Sequence, residues 1–120
     1  MGVDLKAVQA LDLWRGAIVE SVRREAPDLS ARQMALLLTV YLSAPPHTVR
    51  GLATALNISK PAITRALDRL SEYGLIRRKV DETDRRSVLI QRTVKGSVFL
   101  REFGDIIVTA AAETSNGTGA

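Results

Sequence analysis

Apolar positions recur at helical spacing from the start of the chain. Val8, Leu11, Ile18 and Val22, with Leu5 and Trp14 near the same side, predict a first helix over residues 4–25 that Pro27 ends. Ser30-Ala31-Arg32-Gln33 has the form of a capping box. It opens a second helix through Met34, Leu37, Leu38 and Tyr41, which Pro45-Pro46 terminates. That helix is apolar on several faces, which predicts a central position. Thr48 can cap a short third helix with Leu52, Ala53 and Leu56 on its inner face. Ser59 can cap a fourth, from about Lys60 to Tyr73, with Pro61 in the first turn, where a missing N–H costs nothing. Gly74 then stands where a left-handed stop is expected, followed by apolar Leu75.

The period changes next. IRRKV at 76–80 and SVLIQR at 87–92 are short β-branched runs joined by a polar link, the pattern of a hairpin. Thr93 can cap a last helix whose apolar side holds Val98, Phe99, Phe103, Ile106, Ile107 and Ala110. TSNGTGA at 114–120 reads as a flexible tail. Four helices, a hairpin and a helix predict a mainly α (α+β) fold, a winged helix-turn-helix flanked by extra helices. Inside it, Ala53 supplies the small residue where two helices cross, Asn57 tolerates positive φ at the tight turn, and Ile63 faces the first helix from the second.

Charge sharpens the picture. The net charge is +4, yet residues 47–101 hold twelve basic and five acidic residues, and no other segment carries a positive excess. That is the electrostatic footprint of a polyanion-binding unit, although a solvated basic face would look the same. Cysteine is absent, which removes disulfides, thiolate metal sites and thiol redox sensing. His47 is the single histidine and is expected to be a polar loop residue, so no metal or cofactor is expected. There is no Gly-rich phosphate loop and no nucleophile elbow, which argues against an enzyme. The most apolar stretch, residues 34–44, is too short to span a bilayer, and with no secretion signal evident a soluble cytoplasmic protein is expected.

The fourth helix divides into two sides. Ile63, Ala66, Leu67 and Leu70 are expected inward, leaving Ser59, Lys60, Pro61, Thr64, Arg65, Asp68 and Arg69 for other faces. A helix in the major groove touches bases mainly through its N-terminal residues. Lysine and arginine can donate to guanine, and the Thr64 methyl can meet thymine.

At this point the chain resembles the MarR family of bacterial transcription regulators. The likeness covers roughly residues 30–110. TVRGLATALNIS resembles the family's helix-turn-helix, KPAITRALDRLSEYGLIRRK its recognition helix and first wing strand, and DETDRRSVLIQRT its wing. The Asp-x-Arg and Thr-x-x-Gly hallmarks stand here as Asp84-x-Arg86 and Thr93-Val94-Lys95-Gly96. The resemblance implies one domain over 1–113, with a DNA-binding core at about 30–93 and dimerisation helices at about 4–26 and 94–112. It implies a homodimer that acts as a repressor on a pseudo-palindromic duplex. The recognition helix would enter the major groove and the wing the minor groove, where Arg86 inserts and Asp84 braces it. Arg50, Arg69, Arg77, Lys79 and Arg85 are then candidates for phosphate contact. Small aromatic effectors are common in the family, and Trp14 and Tyr41 are candidates to line such a site, with core packing as the competing role. Arg92 stands where the family usually has an apolar residue; either the strand register differs or its stem bends across apolar surface. The alternative function is a winged-helix interaction module that does not read DNA.

Overall fold

The computed structural model describes residues 5–114. Among them the elements run α1 (Ala7–Arg23), α2 (Ala31–Leu42), β1 (His47–Thr48), α3 (Val49–Leu56), α4 (Lys60–Glu72), β2 (Ile76–Val80), β3 (Val88–Arg92) and α5 (Val94–Glu113). This is the expected mainly α fold with a small sheet. None of these helices is long and apolar enough to cross a membrane. The chain divides into two compact units, residues 29–100 and the residues before and after them.

In the unit of residues 29–100, short-range caps define most of the helix starts. Ser30 and Gln33 bond reciprocally, the Gln33 N–H donating to Ser30 Oγ at 3.1 Å and the Ser30 N–H to Gln33 Oε1 at 2.9 Å. Thr48 Oγ1 accepts from the Gly51 N–H at 3.0 Å, Ser59 Oγ from Ala62 at 3.3 Å and Thr93 Oγ1 from Gly96 at 2.9 Å. Asn57 closes α3 in the left-handed conformation with φ 53°. At the end of α4, Gly74 has φ 75°. The Leu75 N–H donates to the Leu70 carbonyl and the Gly74 N–H to Ser71, the paired bonds of a Schellman stop.

The core of this unit joins Leu36, Leu37 and Val40 of α2 to Leu52 of α3, Ile63, Leu67 and Leu70 of α4, and Leu75, Ile76 and Ile90. Each such side chain stabilises the fold by about 1.5–3 kcal/mol on burial. The sheet is antiparallel in the order β1-β3-β2. His47 pairs with Ile90, Arg77 with Gln91 and Ile76 with Arg92. Two expectations change here. The sequence predicts a hairpin, but a third strand of two residues joins it. His47 is therefore no loop residue: it is 8% exposed, within hydrogen-bond reach (3.2 Å) of the Ser43 carbonyl.

The other unit contains α1 and the last part of α5. α1 stops at Arg23, before the Pro27 expected to end it, because Arg24 turns extended and carries its guanidinium to Glu102 at 3.5 Å. Its inward residues are small. Ala17 is fully buried, and a Cβ on Gly16 would lie 3.4 Å from that of Ala110. Trp14 meets Phe103 edge to face, the centroids 6.2 Å apart. The larger apolar residues of α1, Leu13 excepted, face outward, Val8 70% and Leu11 69% exposed. Of the expected tail, Thr114 is buried and residues 115–120 lie outside the described residues.

Candidate nucleic-acid interface

α4 exposes a polar face because its apolar residues fall at helical spacing. Ala62, Ile63, Ala66, Leu67 and Leu70 are buried, whereas Lys60, Pro61, Thr64, Arg65, Asp68 and Arg69 are exposed, as is the cap Ser59. In the first turn of α4, Pro61 has no N–H, Ala62 donates to Ser59 Oγ and Ile63 to the Ser59 carbonyl, which leaves the Lys60 N–H without a helical partner. Lys60 at the helix start lines a concavity of about 520 Å³ together with Thr48, Val49 and Arg50 of the α3 start and Asp84, Arg86, Ser87 and Val88 of the wing. Three cations from three separate segments thus face one opening. Among the described residues, none of Arg50, Lys60 and Arg86 is held in an ion pair or a side-chain hydrogen bond. Arg65 lies outside this concavity, exposed further along α4.

The acids of the wing shape its turns. Asp81 accepts from the Thr83 hydroxyl at 2.7 Å and the Thr83 N–H at 3.0 Å, and these donors, the hydroxyl first, hold its carboxyl below the usual aspartate value. Asp84 accepts from the Arg86 N–H at 3.2 Å. The Ser87 N–H closes a turn onto the Asp84 carbonyl at 2.9 Å, with Arg85 and Arg86 as its two exposed central residues. No ion pair joins Asp84 to Arg86 among the described residues, so the carboxylate fixes backbone while the guanidinium stays unheld.

The other cations differ in how they are held. Arg69 pairs with Glu72 at 3.2 Å and lies over the Tyr73 ring. Arg77 donates to Gln91 at 3.3 Å across the strand pair. Lys79 is exposed with no side-chain partner among the described residues, on the same face of β2 as Arg77.

Two arginines gain roles that sequence reasoning did not assign. Arg78 donates to Asp68 of α4 at 2.6 Å, tying α4 to β2. Arg92 reaches the end of α2, its Nε 2.9 Å from the Val40 carbonyl and a terminal nitrogen 3.0 Å from that of Ser43. Strand alternation held the signal for both. Arg78 shares a face with buried Ile76, and Arg92 with buried Ile90, so both point towards the helices.

The two residues suggested for an effector lie in different units. Trp14 keeps 47% of its surface exposed. The Tyr41 hydroxyl is engaged internally: it donates to the Leu75 carbonyl at 2.7 Å and accepts from the Thr93 N–H at 2.9 Å.

Comparison with known proteins agrees with this fold. The model of the MarR family matches residues 29–88, half of the 120-residue chain. The fold is similar to that of a single-residue mutant of S. aureus MepR, with a TM-score of 0.75 at 22% identity, over 89% of this chain and 76% of that one. It is similar to MepR in the S. aureus MepR-DNA complex, with a TM-score of 0.70 at 24% identity, over 83% of this chain and 79% of that one. The transcriptional regulator BldR from Sulfolobus solfataricus is 29% identical, with a TM-score of 0.63, over 91% of this chain and 78% of that one.

Proposed function

The chain belongs to the MarR family, and on that premise we propose that it is a homodimeric, cytoplasmic transcription regulator, a repressor, that reads double-stranded DNA. α4 enters the major groove with Ser59, Lys60, Pro61, Thr64 and Arg65. The wing enters the minor groove with Arg86, whose cation suits the negative potential of a narrow groove. Arg50, Lys79 and Arg85 meet phosphates, and Arg69 and Arg77 join them by exchanging their present partners.

The observation that carries this reading is the gathering of Arg50, Lys60 and Arg86 around one concavity without compensating ion pairs. A solvated basic face would not need cations from the starts of α3 and α4 and from the wing tip at the same opening. The likeness to MepR in a DNA complex supports the same reading. Dimerisation is supported by α1, which turns Val8, Leu11, Ile18, Val19 and Val22 outward. Such a stripe on a surface helix is the kind that a second subunit covers. An aromatic effector would find the exposed ring of Trp14 as a stacking surface.

Selection of binding sites from a random duplex pool tests the proposal. The recovered sites are expected to show two-fold symmetry with half-sites about one helical turn apart, ~34 Å. If a dimer neutralises roughly 6–10 phosphates, affinity falls by about 10³–10⁵ between 50 and 200 mM salt. No enrichment, together with binding that ignores salt, would leave the interaction-module reading in its place.

A further inference from the structure

Arg92 occupies the last position of β3, opposite Ile76 at the base of the wing. Its guanidinium spans the carbonyls of Val40 and Ser43 and lies 5.9 Å from the centre of the Tyr41 ring. The last carbonyls of a helix lack helical donors and sit at the negative end of its dipole, so a cation there is favoured twice. His47 of β1 is within hydrogen-bond reach of the same Ser43 carbonyl. Beneath the guanidinium, the Tyr41 hydroxyl bonds to Leu75, just ahead of β2, and to Thr93, just after β3. Both wing strands are thereby fastened at their base to the end of α2.

Resting on the function proposed above, we infer that Arg92 is a positioning residue for the wing. Its two-point grip on α2 fixes the base of β3 and so sets where the tip carries Arg86, without Arg92 itself touching DNA. An apolar residue at this position could pack there but could not grip two carbonyls. The fork geometry of arginine is what the grip requires, and lysine offers only one rotating ammonium.

The test compares the full chain with Arg92→Leu and Arg92→Lys in two measurements. The first is amide hydrogen exchange of the free protein. The second is affinity for a duplex recovered by the selection above, over a series of salt concentrations. Both variants are expected to exchange faster at β3 amides and to bind about tenfold more weakly, as for loss of charge-assisted hydrogen bonds. The slope of affinity against salt should stay that of the parent, because no phosphate contact is lost. Circular dichroism checks folding; should Arg92→Leu not fold, Arg92→Lys decides the matter.

Unchanged exchange in the folded variants would overturn the inference, as would faster exchange with parental affinity. A salt slope lower by about one per subunit would mean that Arg92 contacts phosphate directly, which also overturns it. A parent that binds no duplex in the selection would instead sink the functional reading, and this inference with it.

Discussion

Asp84 accepts a hydrogen bond from the backbone N–H of Arg86 at 3.2 Å, so acid and arginine are joined through the main chain and not through their charges. The carboxylate acts as a turn-forming acceptor, and an amide oxygen can take its place. Asp84→Asn is therefore expected to keep the wing's shape and nearly all duplex affinity, whereas Asp84→Ala loses the turn and weakens binding. Arg86→Ala should reduce affinity by about 1.5–3 kcal/mol, the worth of hydrogen bonds made by a charged group, and leave oligomeric state unchanged. Fluorescence anisotropy with a labelled duplex and sedimentation measure the two effects. Parental affinity in Arg86→Ala would remove the wing from the interface.

Gly96 allows no side chain. A Cβ there would overlap the Tyr41 hydroxyl and the Leu75 carbonyl oxygen, the two groups that pin α2 to the wing base. Gly96→Ala is expected to cost about 1–3 kcal/mol or more, as overpacking does in a filled core. Gly104 lies within the same helix with nothing within 4 Å of its would-be Cβ. Gly104→Ala should raise stability by about 0.5–1 kcal/mol through helix propensity. Denaturant unfolding of the two variants should therefore show shifts of opposite sign.

The Asp68–Arg78 pair, at 2.6 Å, lies between partly exposed side chains, so its direct worth to stability is small, on the order of 0–1 kcal/mol. Its larger effect is on charge. Asp68 neutralises an arginine beside α4, and Asp68→Asn releases it. That variant should bind duplex of any sequence more tightly and with a steeper salt dependence, by about one unit of slope per subunit. Titrations at several salt concentrations with matched specific and scrambled duplexes provide the check. An unchanged slope would mean that Arg78 faces no phosphate.

The wing turn should respond to acid through Asp81. Thr83 donates to the ionised carboxylate and lowers its pKa in the folded chain. A lowered folded value means that the stabilisation is present in full above the ordinary aspartate range and is lost as pH falls through the lowered value. Carboxyl NMR should place the Asp81 midpoint below that of an unstructured aspartate. Thr83→Val removes the hydroxyl donor and should move the midpoint upward. A midpoint at or above the ordinary value would show the Asp81–Thr83 bond to be absent in solution.

Much of the fold was legible because its punctuation is local. Ser30, Thr48, Ser59 and Thr93 cap helices through groups three residues away, and Asn57 and Gly74 act through their own backbone conformation. The inward residues Ile63, Ala66, Leu67 and Leu70 followed from helical period alone. What escaped depends on partners distant in sequence. β1 is two residues long, too short for any period, and exists only because β3 accepts it. Tyr41 meets Leu75 and Thr93 at separations of 34 and 52 residues, so nothing near it in sequence announced its hydroxyl's employment. Arg92 and Arg78 were half legible, since strand alternation gives their direction but not the carbonyls and carboxylate that receive them. The outward turn of α1's large residues escaped for another reason: periodicity reports that a stripe exists, and the small Gly16 and Ala17 decide which side faces in.

The crowding of Arg50, Lys60 and Arg86 around one opening has a consequence for the protein on its own. Like charges held near one another repel, so the fold by itself carries a self-imposed penalty that any threaded polyanion relieves. The molecule should accordingly melt at a higher temperature in heparin than in a buffer of small monovalent ions, because a ligand that favours the native state raises its apparent stability. Its thermal endurance is then partly a property of the company it keeps.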